Sequence, residues 1–276
     1  MEIRFQHSPG ETASMQTQQL RENFLIRKLM SADRIALTYT HYDRMIIGGA
    51  VPAAKALLLT ADPELRADYF LERRELGIIN VGGPGSITAG DESFAMEKLD
   101  CLYIGKGCTQ VAFHSTDSTN PALYYLLSAP AHQQYPTRKF TSADAAPAEM
   151  GSVHTANKRT IYKYIHAQGI ASCQLVMGLT ILAEGSVWNT MPAHTHTRRM
   201  EAYFYFDVED DQRVIHFMGE PTQTRHLVVA NHEAIISPPW SIHSGCGTAK
   251  YGFIWGMAGE NYSYTDMDPV TLDTLQ

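Results

Sequence analysis

His194-Thr195-His196 places two imidazoles at i and i+2. Alternate side chains of a strand share a face, so both rings can reach one metal ion. Glu201 follows five residues after His196. That odd separation would turn its carboxylate to the opposite face of a continuous strand, so Thr197-Arg198-Arg199-Met200 must bend or bulge to return it. A fourth donor ends the run Pro238-Pro239-Trp240-Ser241-Ile242-His243, where a proline turn delivers an imidazole to the start of another strand. Three neutral imidazoles and a carboxylate suit Zn, Mn, Fe, Ni or Co. Four protein donors fit either a closed tetrahedral structural zinc or a five- or six-coordinate ion open to substrate oxygens. Lone histidines such as His114 and His216 read as ordinary core or surface residues.

The elements that must carry these donors are short strands. From Glu201 to Val208 polar and apolar residues alternate, which puts Tyr203 and Tyr205 on the donor face and Phe204 and Phe206 on the other. Cys173 to Leu182 sets Leu175, Met177, Leu179 and Ile181 on one face. Turn clusters at Ala183-Glu184-Gly185, Gly219-Glu220-Pro221 and Asn231-His232-Glu233 have the spacing of an antiparallel sandwich or barrel. Comparable strands surround Gly82-Gly83-Pro84-Gly85 and Tyr103-Ile104-Gly105-Lys106-Gly107, so a duplicated β-barrel is expected, although no repeat is visible by residue identity. The glycine cluster lacks nucleotide-loop spacing and reads as a turn. Two peripheral helices are predicted. One carries Leu20, Phe24 and Leu25 with Arg27 and Lys28 at its C-terminal end; the other opens at Asp62-Pro63 and closes at Gly77. The stretch Ser142 to Ser152 is the expected boundary.

With 276 residues, 44% hydrophobic and 18% charged, the chain has room for one large or two small globular cores. Its 22 Lys and Arg against 29 Asp and Glu give a net charge of −7, which argues against nucleic acid or an anionic membrane as partner but leaves a small anionic substrate open. Cys101, Cys108, Cys173 and Cys246 form no CxxC pair and read as reduced thiols. The N-terminal residues show no secretory pattern and no run spans a bilayer, so the cytoplasm is the expected compartment.

The H-x-H, Glu and Pro-x-x-x-x-His series, with its two parts about 40 residues apart, resembles the cupin superfamily, though Trp240 stands where that pattern usually has Gly. Whole segments are similar to the 5-keto-4-deoxyuronate isomerases, or 4-deoxy-L-threo-5-hexosulose-uronate ketol-isomerases. They include Asn189-Thr190-Met191-Pro192, Arg198-Arg199-Met200-Glu201, Tyr203-Phe204-Tyr205-Phe206, Trp240-Ser241-Ile242-His243-Ser244-Gly245 and Phe253-Ile254-Trp255-Gly256-Met257. Tyr103 to Gly107 and Ser128-Ala129-Pro130-Ala131-His132 extend the likeness into the first half.

This resemblance implies an all-β dominated fold of two cupin (jelly-roll) barrels with a few peripheral helices. Residues 1–150 would form an N-terminal cupin-like domain with a helical arm and no metal site, and residues 151–276 the metal-bearing cupin. It also implies one Zn2+ per chain on His194, His196, Glu201 and His243, a homohexamer, and an aldose-ketose isomerisation in polyuronate breakdown. With Glu201 on the metal, a metal-bound hydroxide or a phenol, Tyr203 or Tyr205, is left for proton transfer. The substrate carboxylate calls for a cation. Arg198 and Arg199 stand nearest in sequence, with Arg159, Lys163 and Arg225 as second choices, while Trp240, Phe253 and Trp255 read as core. A cupin dioxygenase and a non-catalytic sugar-binding cupin use the same donor set and are the competing readings.

Overall fold

The computed structural model describes residues 1–276, and β-strands dominate it. One seven-stranded sheet runs, in spatial order, Glu2–Arg4, Arg34–Thr40, Ile46–Val51, Tyr124–Pro130, Arg74–Asn80, Cys101–Ile104 and Arg138–Phe140. A second runs Ala148–Met150, Arg159–Ile165, Val176–Leu182, Gly252–Gly259, Arg199–Phe206, Ala234–Ser237 and Leu25–Ile26. Each is paired with a four-stranded sheet, Leu57–Leu58, Val111–Ser115, Gly85–Ala89, Glu92–Met96 in one half and Trp188–Asn189, Ser244–Gly247, Val214–Glu220, Gln223–Val229 in the other. The winding order is the same in both halves, so the duplication that residue identity hides is plain in the topology.

Side-chain alternation explains how the halves pack. In the first large sheet Leu76, Ile78, Leu102, Ile104, Tyr124 and Leu126 point into that barrel's own core. Their neighbours Ile79, Cys101, Tyr103, Tyr125 and Leu127 point out and join the core cluster of the second half. Tyr125 stacks on Phe204 with ring centroids 4.4 Å apart. The two large sheets therefore stand back to back with both faces covered, and burial of each such ring contributes about 1.5–3 kcal/mol.

This packing overturns the second predicted helix. Asp62 caps only a single 3-10 turn, Pro63–Leu65, and Arg66 then adopts a left-handed φ of 47°. Leu76 and Gly77 lie in the strand Arg74–Asn80. There a Cβ on residue 77 would sit 2.7 Å from Met177 Sδ, so the glycine serves close sheet contact instead of a helix cap. The first helix is real but ends early, spanning Thr17–Phe24. Leu25 instead pairs with Ile235 in the second sheet, and Arg27 and Lys28 lie beyond the helix. Because Glu2–Arg4 pairs with Thr38–Thr40 of the first sheet, the arm laces the barrels together.

Register locates the donors within this frame. Glu201 lies between Met257 and Ser237 on its neighbouring strands. The corresponding place in the first barrel is held by Leu76, between Ser128 and Ile104, so that barrel offers an apolar side chain where the second offers a carboxylate.

Candidate metal centre and its cavity

His194 lies in a two-residue strand paired with Pro269 and Asp268. The chain then turns, with the Arg199 N–H donating to the His196 carbonyl at 3.0 Å, and Arg199–Phe206 begins as a new strand. This is the bend that the odd spacing demanded, and it brings Glu201 back to the histidines. His243 arrives after a turn closed by Ser241 N–H to Pro238 O at 3.0 Å, one residue before the strand Ser244–Gly247.

The four donor atoms lie within 4.8 Å of one another. His194 Nε2 is 3.1 Å from His196 Nε2 and 3.0 Å from His243 Nε2. Glu201 Oε2 is 3.0 Å from His196 Nε2 and 2.9 Å from His243 Nε2. Glu201, His196 and His243 are buried. Burial by itself would raise the Glu201 carboxyl, but the His243 and His196 imidazoles hold it well below the usual carboxylate range. Burial, reinforced by the neighbouring His243, draws His194 down to about 3.

Proton bookkeeping shows that this group suits a cation. His196 Nδ1 is 2.5 Å from the Asp266 carbonyl, an oxygen that can only accept, so its N–H points there and its Nε2 offers a lone pair when the ring is neutral. His243 Nδ1 lies 3.3 Å from Ser237 Oγ. Four close contacts among the donor atoms then have at most two protons to share, from His194 and His243. Two lone-pair contacts are left, which one positive ion at the centre satisfies together. The observed contacts of 2.9–3.1 Å are short enough for the four donors to share one ion.

The donor group borders a cavity of about 350 Å³ lined by His194, His196 and Glu201 together with Arg159, Tyr203 and Tyr264. A larger cavity, about 630 Å³, lies against Arg27, Lys28 and Arg34 beside the first barrel; it holds no such donor group, so volume alone does not mark the site. Tyr203 reaches the cavity and its hydroxyl is 3.2 Å from Thr190 Oγ1. Burial, with the Glu201 charge nearby, pushes its phenol well above the ordinary value, so it stays protonated at neutral pH. Tyr205 does not line the cavity. Its hydroxyl bonds His216 Nδ1 at 2.7 Å in the buried interior, which corrects the pairing of the two phenols.

Neither arginine expected to hold a substrate carboxylate lines the cavity. Arg198 is tied to Asp266 and Asp268, both at 2.7 Å from Nη2. Arg199 is buried, and its guanidinium donates to the Ser263 carbonyl at 2.5 Å and the Asp266 carbonyl at 3.0 Å. Both sit where the turn meets the strand, and most of their donors go to the C-terminal loop, although Arg198 Nη1 donates to Thr197 Oγ1 and the buried Arg199 Nε has no partner. Of the second choices, Arg225 donates to Ala13 O and Lys163 lies over the Tyr264 ring at 5.2 Å, whereas Arg159 faces the cavity. Phe253 and Trp255, read as core, are buried and also form its wall, with Trp255 Nε1 donating to Thr180 Oγ1 at 3.1 Å. Thr190 and Tyr264 were missed: Thr190 was visible only within a matched segment, and Tyr264 had no motif around it.

Two back-to-back jelly-roll barrels, one of which opens on a three-histidine, one-glutamate group, define a two-barrel cupin. Two solved structures share the fold: an IolB-like protein from Salmonella typhimurium LT2 (TM-score 0.71, 15% identity, 90% of this chain and 97% of that one) and oxalate decarboxylase from Lactobacillus farciminis (TM-score 0.57, 9% identity, 79% and 78%). The sequence model of the KduI/IolB family matches residues 24–271, and the chain belongs to that family. It is similar over 276 residues, all of both chains, to 4-deoxy-L-threo-5-hexosulose-uronate ketol-isomerases from Shouchella clausii (54% identity) and Caldicellulosiruptor bescii (51%). The enzyme of that name from Formosa agariphila is 54% identical over 275 residues, 100% of this chain and 98% of that one.

Proposed function

We propose that the protein is a ketol-isomerase acting on 4-deoxy-L-threo-5-hexosulose-uronate, with one zinc ion on His194, His196, Glu201 and His243. The observation that carries this reading is full-length identity above half with enzymes of that name, joined to four donors that converge at the wall of a cavity. The donor set also accepts Mn, Fe, Ni and Co, and elemental analysis of the purified protein separates them. Residues 1–150 then supply chiefly the barrel without donors and 151–276 the one with them. A homohexamer in the cytoplasm completes the proposal; light scattering after size exclusion tests for six copies. No helix is long and apolar enough to cross a membrane.

The reaction moves the C2 hydrogen of a 2-hydroxyaldehyde to C1 and the hydroxyl proton to the C1 oxygen, giving a ketone with no external oxidant or reductant. A divalent cation held by His194, His196, Glu201 and His243 would supply Lewis-acid polarisation of the substrate. The chain's own residues prepare that chemistry. The Asp266 carbonyl and Ser237 hydroxyl orient the His196 and His243 rings, so their Nε2 atoms face the centre. Tyr203 presents an O–H to the cavity, suited to hold a substrate oxygen. Apolar walls such as Phe253 and Met257 limit water around the reacting carbons.

The test is incubation of metal-loaded protein with the uronate, following the aldehyde proton by NMR. Its disappearance, with matching growth of the ketone product and no oxygen uptake, is the expected result. An unchanged aldehyde signal with the metal fully loaded would refute the proposal, and oxygen consumption would indicate a dioxygenase.

A further inference from the structure

A uronate of this kind carries its aldehyde on the first carbon and its carboxylate on the sixth. The reacting carbons must lie at the metal donors, so the group that binds the carboxylate has to stand one sugar chain away, roughly 6 Å for five zigzag bonds of ~1.5 Å. Arg198 and Arg199 do not line the cavity, and their guanidinium groups are held by the C-terminal loop.

Arg159 meets this requirement. Its strand, Arg159–Ile165, is the third one along the sheet from the Glu201 strand, by way of Val176–Leu182 and Gly252–Gly259. At about 4.8 Å per strand their backbones are roughly 14 Å apart, a span that an extended arginine and a six-carbon acid together can bridge. Both residues line the same cavity of about 350 Å³, and Arg159 is the only lysine or arginine in its wall.

The guanidinium also has no carboxylate partner within the protein. Its Nη1 donates to the Asn157 carbonyl at 2.8 Å, which anchors one edge, and the side chain enters no ion pair. The one carboxylate in the wall, Glu201, is engaged with two imidazoles. A half-buried cation without a protein counter-charge costs free energy that an entering carboxylate offsets. Burial accordingly pulls the Arg159 guanidinium below its ordinary value.

We propose that Arg159 binds the substrate carboxylate and thereby fixes which end of the sugar acid faces the four-donor group. This rests on the ketol-isomerase reading. Arg159 is then the residue that selects uronates over neutral sugars of the same length, and it acts on binding more than on the chemical step.

The experiment compares wild type, Arg159→Gln and Arg159→Lys on the uronate and on its methyl ester, with metal content and Tm measured for each. Arg159→Gln is expected to raise KM for the acid about ten- to a hundredfold, the worth of one charge-assisted hydrogen-bond pair, with kcat within about threefold. It should also abolish the wild type's preference for acid over ester. Arg159→Lys, which keeps the charge and loses the fork, should fall between and serves if the glutamine variant fails to fold. Retention of the acid preference in Arg159→Gln, or an unchanged KM, overturns the proposal. Calorimetry with D-galacturonate and D-galactose keeps the two readings apart. If wild type isomerises nothing, the ketol-isomerase reading falls, while tighter binding of galacturonate that Arg159→Gln removes would still support Arg159 as the carboxylate site. Equal binding of both sugars by wild type would count against it.

Discussion

The imidazole of His196 points its Nδ1–H at the backbone carbonyl of Asp266, 2.5 Å away and 70 residues later in the chain. The same carbonyl accepts from Arg199 at 3.0 Å, and the Asp266 carboxylate accepts from Arg198. Two adjacent arginines thus pin the C-terminal loop that orients a metal donor. Their part is positioning, at one remove from the substrate.

Arg199→Met removes the clamp while filling much of the volume. Carbonyls of Ser263 and Asp266 lose a charged partner, and His196 loses the fixed loop that selects its tautomer. Metal affinity is expected to fall about 10–100-fold, as for other outer contacts to ligating histidines. A competition titration with a chromogenic chelator measures it. Unchanged affinity would mean that the loop holds its place without Arg199.

His196→Ala should lower metal content and activity together. It removes a donor whose Nε2 contacts both His194 and Glu201, leaving the buried carboxylate with one imidazole fewer. Stripping metal from wild type with a chelator should lower Tm, because an ion that binds only the folded state adds about 2.7 kcal/mol of stability at a hundred times its Kd. Calorimetry with and without added metal checks this. Isomerisation by a protein shown to be metal-free would remove the metal's chemical role.

The donor set was legible because ligand chemistry is written in residue types at short spacings: His194, His196 and Glu201 lie within eight consecutive residues. Strand phase then required the turn at residues 197–198 that the fold contains. The Asp266 carbonyl left no such trace, since any residue supplies one. The helix expected from Asp62 to Gly77 failed for a different reason. Local capping signals are worth ~1 kcal/mol, and they were outweighed by burial of Leu76 and Ile78 on one face and Ile79 on the other. A strand apolar on both faces shows no period of two, so the first barrel was harder to read than the second.

His216 makes the metal-free protein acid-sensitive. It is fully buried, and burial lowers its pKa from 6.5 to about 3. Between those values the unfolded chain binds a proton that the folded one refuses. Its stabilising effect is therefore complete above about pH 6.5 and is lost as pH falls towards 3, at up to about 1.4 kcal/mol per pH unit. His216→Gln retains an acceptor for the Tyr205 hydroxyl and removes the titration. Urea midpoints of metal-stripped wild type and variant, at pH 7.5 and 5.0, should converge at the lower pH. Parallel curves would contradict the assignment.

Glu75 also ties the barrels together. Its carboxylate is fully buried and accepts from the backbone N–H groups of Cys173, Gln174 and Leu175 at 2.7, 2.9 and 2.8 Å, and from the Tyr103 hydroxyl at 2.8 Å. The strand that bears it belongs to the first large sheet, whereas those amides lead into the Val176–Leu182 strand of the second. Glu75→Ala leaves four donors without an acceptor between two packed sheets, where water has poor access. A cost of about 3 kcal/mol or more is expected, because each stranded donor loses roughly 1–3 kcal/mol. For a chain of this size that corresponds to a fall in Tm of roughly 6–12 °C. Differential scanning calorimetry reads the shift and, by broadening or splitting of the transition, whether the barrels have begun to unfold separately. A variant that melts with wild type would show that the apolar contact between the sheets, Tyr125 on Phe204 among them, holds the halves together without the carboxylate.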